Sequence, residues 1–283
     1  MKFLFVVFFL FSFQFGYSIQ YDTVYINRGT FTAVNGTQFP YLSFNKTSVF
    51  NQQNENIRLD VNETLIITVI NNDTINHGFT LKDISQYNLL PQDTISDTVL
   101  FSQRSVIPFY DHFQFPNFKN SGLSGMIYVT ANSFDFAYVW NLKDHQSNLQ
   151  LDLVSGNLVT WNNYMPDYFT INEKSYSDIQ SDPLIRVNQN IGDTIYIYVV
   201  NSGQSMHSLH FHGFHQTAIY EDAKKIEIGW EKDTWGLFSM DGVVLRLVPD
   251  KVGQYSVHDH NLVALSAGST HPNGMLTIMQ INP

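Results

Sequence analysis

The residues that could do chemistry gather in two short stretches. Residues 205–215, SMHSLHFHGFH, place His207, His210, His212 and His215 within nine positions. His258-Asp259-His260 adds two more of the chain's ten histidines. Each stretch contains a His-x-His. On a β-strand, residues i and i+2 face the same way about 7 Å apart, and neighbouring strands lie about 4.8 Å apart. Two such strands side by side would aim His210, His212, His258 and His260 into one small volume. Imidazole is a ligand suited to copper or zinc. Either pair alone is compatible with histidines on surface strands; the two together point to metal binding.

The elements that must position these residues read as strands. In the first part of the chain, residues 21–26, 57–61, 64–70, 77–81, 99–108 and 124–130 are apolar and β-branched or alternate with period two, with Asn and Gly turns between them. A second β-pattern runs through 168–172, 184–187, 194–200, 208–212, 217–220, 243–248, 253–257 and 274–279, with turns at Gly192, Gly203 and Gly242. Each half has a β-branched strand ending in Asn, then a His-containing strand, then a late His-containing turn before a closing Gly-Met strand, at Gly125-Met126 and Gly274-Met275. The expected fold is all-β, two Greek-key β-sandwich domains at residues 19–130 and 166–283. Residues 131–165, with helical spacing over 142–153, are expected to be a connector.

Composition bounds the function. A 43% apolar, 14% charged chain describes a packed globular protein, and 23 Phe and 15 Tyr suit β-rich cores. The net charge of −10 argues against nucleic acid and anionic membranes as partners. Lys2, the apolar residues 3–15 and the small-residue site 16–18 read as a signal peptide (1–18) too short to span a bilayer. An exported protein is expected, secreted or periplasmic, without membrane insertion. There is no cysteine, although exported proteins usually carry disulfides. Sequons stand at Asn35, Asn45, Asn62 and Asn72. No nucleophile elbow, His-Glu-x-x-His or phosphate loop is present.

His207-x-x-His210-x-His212-Gly213 resembles the HxxHxHG segment of multicopper oxidases, and His258-Asp259-His260 resembles their late His-Cys-His. Residues 248–255 resemble the approach to that motif, and 168–172 the opening strand of a later cupredoxin domain; the likeness covers about 168–280. His260-Asn261-Leu262 also looks like the second domain of copper nitrite reductases. Both relatives imply two-domain cupredoxin architecture. The resemblance implies copper on His210, His212, His258 and His260, and gives His207 the place of the first type 1 histidine. Asp259 stands where the thiolate of a blue type 1 copper would be, so no blue site can form in this chain. The next type 1 histidine of the family would fall at Ala264; His271 and Met275 lie in a longer loop. In the first half only single histidines match. His77 sits at the early type 1 position, His112 near the late ligand loop, and Leu123 where nitrite reductases have an axial Met. His145 and His215 read as ordinary loop or surface residues.

Two functions follow as expectations. One is a copper-dependent oxidoreductase that acts on dioxygen or a small-molecule substrate without a type 1 site. The other is a non-catalytic cupredoxin-like protein for copper binding or storage, or for structural and assembly roles. The resemblance also implies a homotrimer in which a neighbour's His77 or His112 completes the site. Strand alternation points Asp259 away from His258 and His260. With His207 and His271 it would form a harder second site for zinc or non-blue copper; otherwise it only accepts hydrogen bonds, from His207 or a loop amide.

Overall fold

The computed structural model describes residues 18–131, 134–222 and 225–283. The expected signal peptide lies outside the described residues apart from its last position. In chain order the strands of the first half are β1 (Ile19–Thr32), β2 (Gln38–Asn45), β3 (Asn56–Asp60), β4 (Thr64–Asn71), β5 (His77–Leu81), β6 (Ser85–Leu89), β7 (Thr94–Leu100), β8 (Ser105–Tyr110) and β9 (Ser124–Thr130), with the one-turn helix α1 (Asn117–Asn120) before β9. The second half contains β10 (Phe136–His145), helix α2 (Gln150–Ser155), β11 (Tyr168–Ile171), β12 (Asn188–Asn190), β13 (Ile195–Asn201), β14 (His207–Phe211), β15 (Gln216–Glu221), β16 (Glu231–Lys232), β17 (Thr234–Leu237), β18 (Gly242–Leu247), β19 (Gly253–Asp259) and β20 (Leu276–Asn282).

The four sheets are two copies of one plan. One sheet runs β2-β1-β4-β7, and its counterpart runs β11-β10-β13-β18 before adding β15 and β16 at its edge. The other two run β3-β9-β8-β5-β6 and β12-β20-β19-β14-β17. Even the parallel pairs repeat: β1 with β4 as β10 with β13, and β3 with β9 as β12 with β20. This is the duplicated strand order expected from the sequence, in an all-β fold.

Alternation explains why these residues make these strands. In β4, Leu65, Ile67, Val69 and Asn71 are buried while the residues between them are half-exposed. Burying each such aliphatic side chain stabilises the fold by about 1.5–3 kcal/mol, and a one-residue slip would turn the whole set to solvent. Each sheet pair encloses its own core, around Phe44, Phe79 and Phe109 in the first and around Trp140, Phe211 and Trp235 in the second. A third buried cluster joins them, with Val106, Met126 and Tyr128 against Val139, Tyr198, Val200 and Val244. Polar ties cross the same seam. Arg104 donates to the Tyr198 hydroxyl at 2.7 Å, Lys82 pairs with Asp222, and buried Lys119 donates to the carbonyls of Ser202 (3.1 Å) and Gly203 (2.8 Å).

Several sequence expectations need correction. Residues 131–165 are not a plain connector, because β10 lies inside the second sandwich as the counterpart of β1. The second β-pattern therefore opens before Tyr168. The helical spacing over 142–153 resolves into the end of β10, a 3-10 turn and the short α2. The apolar run 99–108 is broken into β7 and β8, residues 184–187 are not a strand, and β2 and β6 were not expected. His145 is buried rather than on the surface, ringed by Phe31, Phe39 and Tyr41, and that burial pushes its imidazole down to about 3.

Candidate metal centre

Strands β14 and β19 are antiparallel neighbours, with His210 opposite His258 and Leu209 opposite Asp259. Alternation then sorts their side chains. Leu209, Phe211, Val257 and Asp259 point into the sandwich and are buried. His210, His212, His258 and His260 point outward together. Their ring centroids are separated by 4.8 Å (His210–His212), 5.0 Å (His210–His260), 5.1 Å (His212–His258), 5.7 Å (His210–His258) and 6.2 Å (His258–His260). The sequence spacing thus brings all four imidazoles together.

Local contacts orient the rings. His258 Nδ1 lies 2.9 Å from the Asp259 carbonyl oxygen, which can only accept. That fixes the proton on Nδ1 and leaves a lone pair on Nε2. This Nε2 is 3.0 Å from His212 Nε2. His210 Nδ1 is held at 2.9 Å by the Thr234 hydroxyl from β17. Burial, then the neighbouring His210, His258 and His260, keep the His212 pKa below the usual imidazole value. Gly213 closes the β14 segment with φ of +80°, where a side chain would also run into the Tyr255 ring. Beside the rings a cleft is lined by His210, His212, His215 and Asp233. His215 is exposed, as expected.

Four clustered imidazoles are a chemically apt donor set for copper. Among the described residues, no three or more His, Asp or Glu side chains are placed so that together they could hold a metal ion. The rings come two from each side of the strand pair, His210 and His212 facing His258 and His260.

On the inner face, Asp259 is fully buried and engaged. It accepts from His207 Nδ1 at 2.5 Å, from the Ser208 amide at 3.2 Å and from the Asn261 amide at 2.8 Å. The second carboxylate facing His207 is Asp144, whose Oδ1 stands 3.8 Å from His207 Nε2. Asp144 is the residue that sequence reasoning missed. It is held by the amides of Gln204 (2.6 Å) and Ser205 (3.1 Å) and by the Ser205 hydroxyl (2.6 Å). Burial alone would lower the His207 pKa; the Asp144 and Asp259 carboxylates outweigh it and lift His207 to about 9. Asp144, in turn, is held far below the usual carboxylate range by the nearby His207 and the Ser205 hydroxyl, against the opposing effect of burial. His271 is exposed, and none of the polar contacts of His207 or Asp259 involves it. Ala264 and Met275 are buried in the core.

In the first half, His77 is wholly buried between Asp111 (Nδ1 to Oδ2, 2.7 Å) and Asp73 (Nε2 to Oδ2, 2.9 Å). Both ring nitrogens are occupied, so His77 has no lone pair to offer a metal. The positions matching His210, His212, His258 and His260 carry Thr80, Lys82, Tyr110 and His112, with Thr80 opposite Tyr110. His112 meets the Thr80 hydroxyl at 3.0 Å and Asn88 Oδ1 at 2.9 Å. Leu123 is buried in the core.

Residues 144–272 match the family model of the multicopper oxidases. Among curated protein sequences, none matches the chain. The fold is similar to that of a blue copper oxidase from Nitrosomonas europaea (18% identity, TM-score 0.76, covering 93% of this chain and 86% of that one). It is also similar to a copper nitrite reductase from the same organism (16%, 0.71, 94% and 94%) and to a laccase from Botrytis aclada (15%, 0.70, 94% and 53%). Residues 144–272 thus match the multicopper oxidase family, and over nearly its whole length the chain has a fold like those of the copper oxidases and copper nitrite reductases, with no cysteine to serve as a type 1 ligand.

Proposed function

We propose that this is an exported copper-binding protein whose copper is held by His210, His212, His258 and His260. The single observation that carries this reading is the convergence of four outward imidazoles on β14 and β19, with the His258 Nε2 lone pair turned toward His212. Bound copper would supply one-electron redox chemistry toward dioxygen or another small oxidant. The chain's own residues would do the rest. Thr234 and the Asp259 carbonyl fix the orientation of the His210 and His258 rings. The cleft beside them admits a small molecule directly, as it must where no type 1 copper delivers electrons.

The same geometry favours a second reading, copper binding or storage without turnover. His207, the remaining type 1 position of this half, is taken up by Asp259 and Asp144, so no electron entry site stands behind the cluster. Self-association as a trimer belongs to the proposal too. A neighbour's His112 would have to leave Thr80 and Asn88 to join the cluster, and the buried His77 could not reach it. Oxygen uptake by copper-loaded protein with a small reducing substrate separates the two readings. Turnover abolished by His210→Ala and His258→Ala supports the oxidoreductase; copper binding without uptake leaves storage.

A further inference from the structure

The two buried histidines repeat each other in detail. In the first half, Asn71 accepts from the amide of Asp73 (3.0 Å) and donates to the Ile75 carbonyl (2.8 Å). In the second, Asn201 accepts from the amide of Gly203 (2.9 Å) and donates to the Ser205 carbonyl (2.8 Å). Six residues after each Asn comes the histidine, His77 or His207. Asp111 accepts from His77 and from the amides of Gly78 and Phe113, both at 2.7 Å. Asp259 accepts from His207 and from the amides of Ser208 and Asn261 at the matching positions.

The second carboxylate reaches the two rings by different routes. Asp73 stands four residues before His77. The residue four before His207 is Gly203, and a Cβ there would overlap Asp144 Oδ1. The carboxylate missing from the loop is thus supplied by β10, through the space the glycine leaves, at 3.8 Å from His207 Nε2, which is buried with an ion partner but no hydrogen bond. One charge arrangement has been built twice from different residues, which an incidental pair of polar contacts does not explain.

The chemistry of the arrangement fixes its protonation. A neutral imidazole has one N–H, while an ionised carboxylate only accepts. His77 presents both nitrogens to carboxylate oxygens within 2.9 Å. Asp73 is ionised, because His77 and the Arg28 guanidinium, bidentate at 2.6 and 2.9 Å, hold it well below the usual range against burial. Burial raises the Asp111 pKa, while His77 and the two backbone N–H groups that its Oδ1 accepts oppose that rise and favour the ionised form. The groups that face His77 are Asp73 and Asp111, with Arg28 behind Asp73 and the Phe118 ring at its edge. Those facing His207 are Asp144 and Asp259, with Lys119 near Asp144 and the Phe169 ring at its edge.

We propose that in each half a proton, held as an imidazolium between two carboxylates, closes the place where the cupredoxin fold carries its early type 1 histidine: His77 between Asp73 and Asp111, His207 between Asp144 and Asp259. These two places are then closed to metal, and metal capacity is confined to the outward cluster. This assignment does not depend on what the outward cluster binds.

Long-range proton–nitrogen correlation spectra of the histidine rings in the full-length protein test it. At pH 7, two rings should show both nitrogens in the protonated range. His77→Gln should remove one of these patterns and His207→Gln the other. Zinc, used as a diamagnetic probe, should shift the resonances of His210, His212, His258 and His260 and leave those two rings unchanged. If a variant does not fold, the wild-type spectrum with and without zinc decides alone. Fewer than two doubly protonated rings at pH 7, or zinc displacing the proton from either, would overturn the proposal.

Discussion

Replacing Asp259 by Asn keeps the shape of the side chain and removes its charge. Asp259 is fully buried and accepts three hydrogen bonds, one of them from the charged His207 ring at 2.5 Å. The amide oxygen of Asn can still accept from the Ser208 and Asn261 amides. Its NH2 group, however, would face His207 Nδ1–H. Breaking a buried ion pair from one side costs about 3–5 kcal/mol, because the remaining charge is left without its partner. Asp144 remains 3.8 Å from the other ring nitrogen and still offsets part of that charge, so the expected loss is at the lower end, about 3 kcal/mol. Denaturant unfolding followed by tryptophan fluorescence measures it, since Trp140 and Trp235 lie in the core of this half. A double-mutant cycle with His207→Gln should return most of the loss as coupling between the two residues. The copper content of the folded variant should equal that of the wild type. A loss under 1 kcal/mol with one metal ion missing per chain would refute the reasoning and make Asp259 a ligand.

Three further outcomes are expected. Gly203→Ala should destabilise the protein by at least about 1–3 kcal/mol, as overpacking does, by pushing Asp144 off His207; Gly192→Ala, whose Cβ meets nothing nearby, should cost only the backbone strain of its positive φ, about 1–2 kcal/mol, and leave His207 unchanged. The pKa of His207 is raised by folding, so its stabilisation is complete below about 6.5, its unfolded value, and is lost as pH rises toward about 9. Thermal melts between pH 6 and pH 10 should therefore show a decline that is smaller in His207→Gln. Copper-loaded protein should be colourless or pale, as no thiolate is available for the intense band of a blue site; an intense blue colour would contradict the site described here.

The outward cluster was legible because strand alternation is local. Once residues 208–212 and 253–257 read as strands, His-x-His on each had to face one way, and the register of β14 on β19 made the two faces one. The hydrogen-bonding role of Asp259 was also within reach, since the same alternation sends it inward toward His207. Asp144 was not. It lies 63 positions before His207, in a segment whose mixed polar and aromatic spacing hides a strand, and its place depends on a glycine that reads in sequence as an ordinary turn. The partners of His77 were hidden for a related reason: Asp73 and Asp111 are commonplace loop residues until β4, β5 and β8 fold them onto one ring. His145 was misjudged because it ends β10, and the aromatic residues that bury it come from β1 and β2. Strand faces follow from neighbours in the chain, whereas charge partners across a sandwich depend on the tertiary fold.

Copper binding by the outward histidines is tested most directly by stoichiometry. Metal analysis after equilibrium dialysis against copper should compare wild type, His77→Gln and a variant with His210, His212, His258 and His260 all changed to Ala, together with electron paramagnetic resonance of each. The expected result is copper bound in a nitrogen-rich environment by wild type and by folded His77→Gln, and lost from the quadruple variant. Full copper retention by the folded quadruple variant would contradict the assignment.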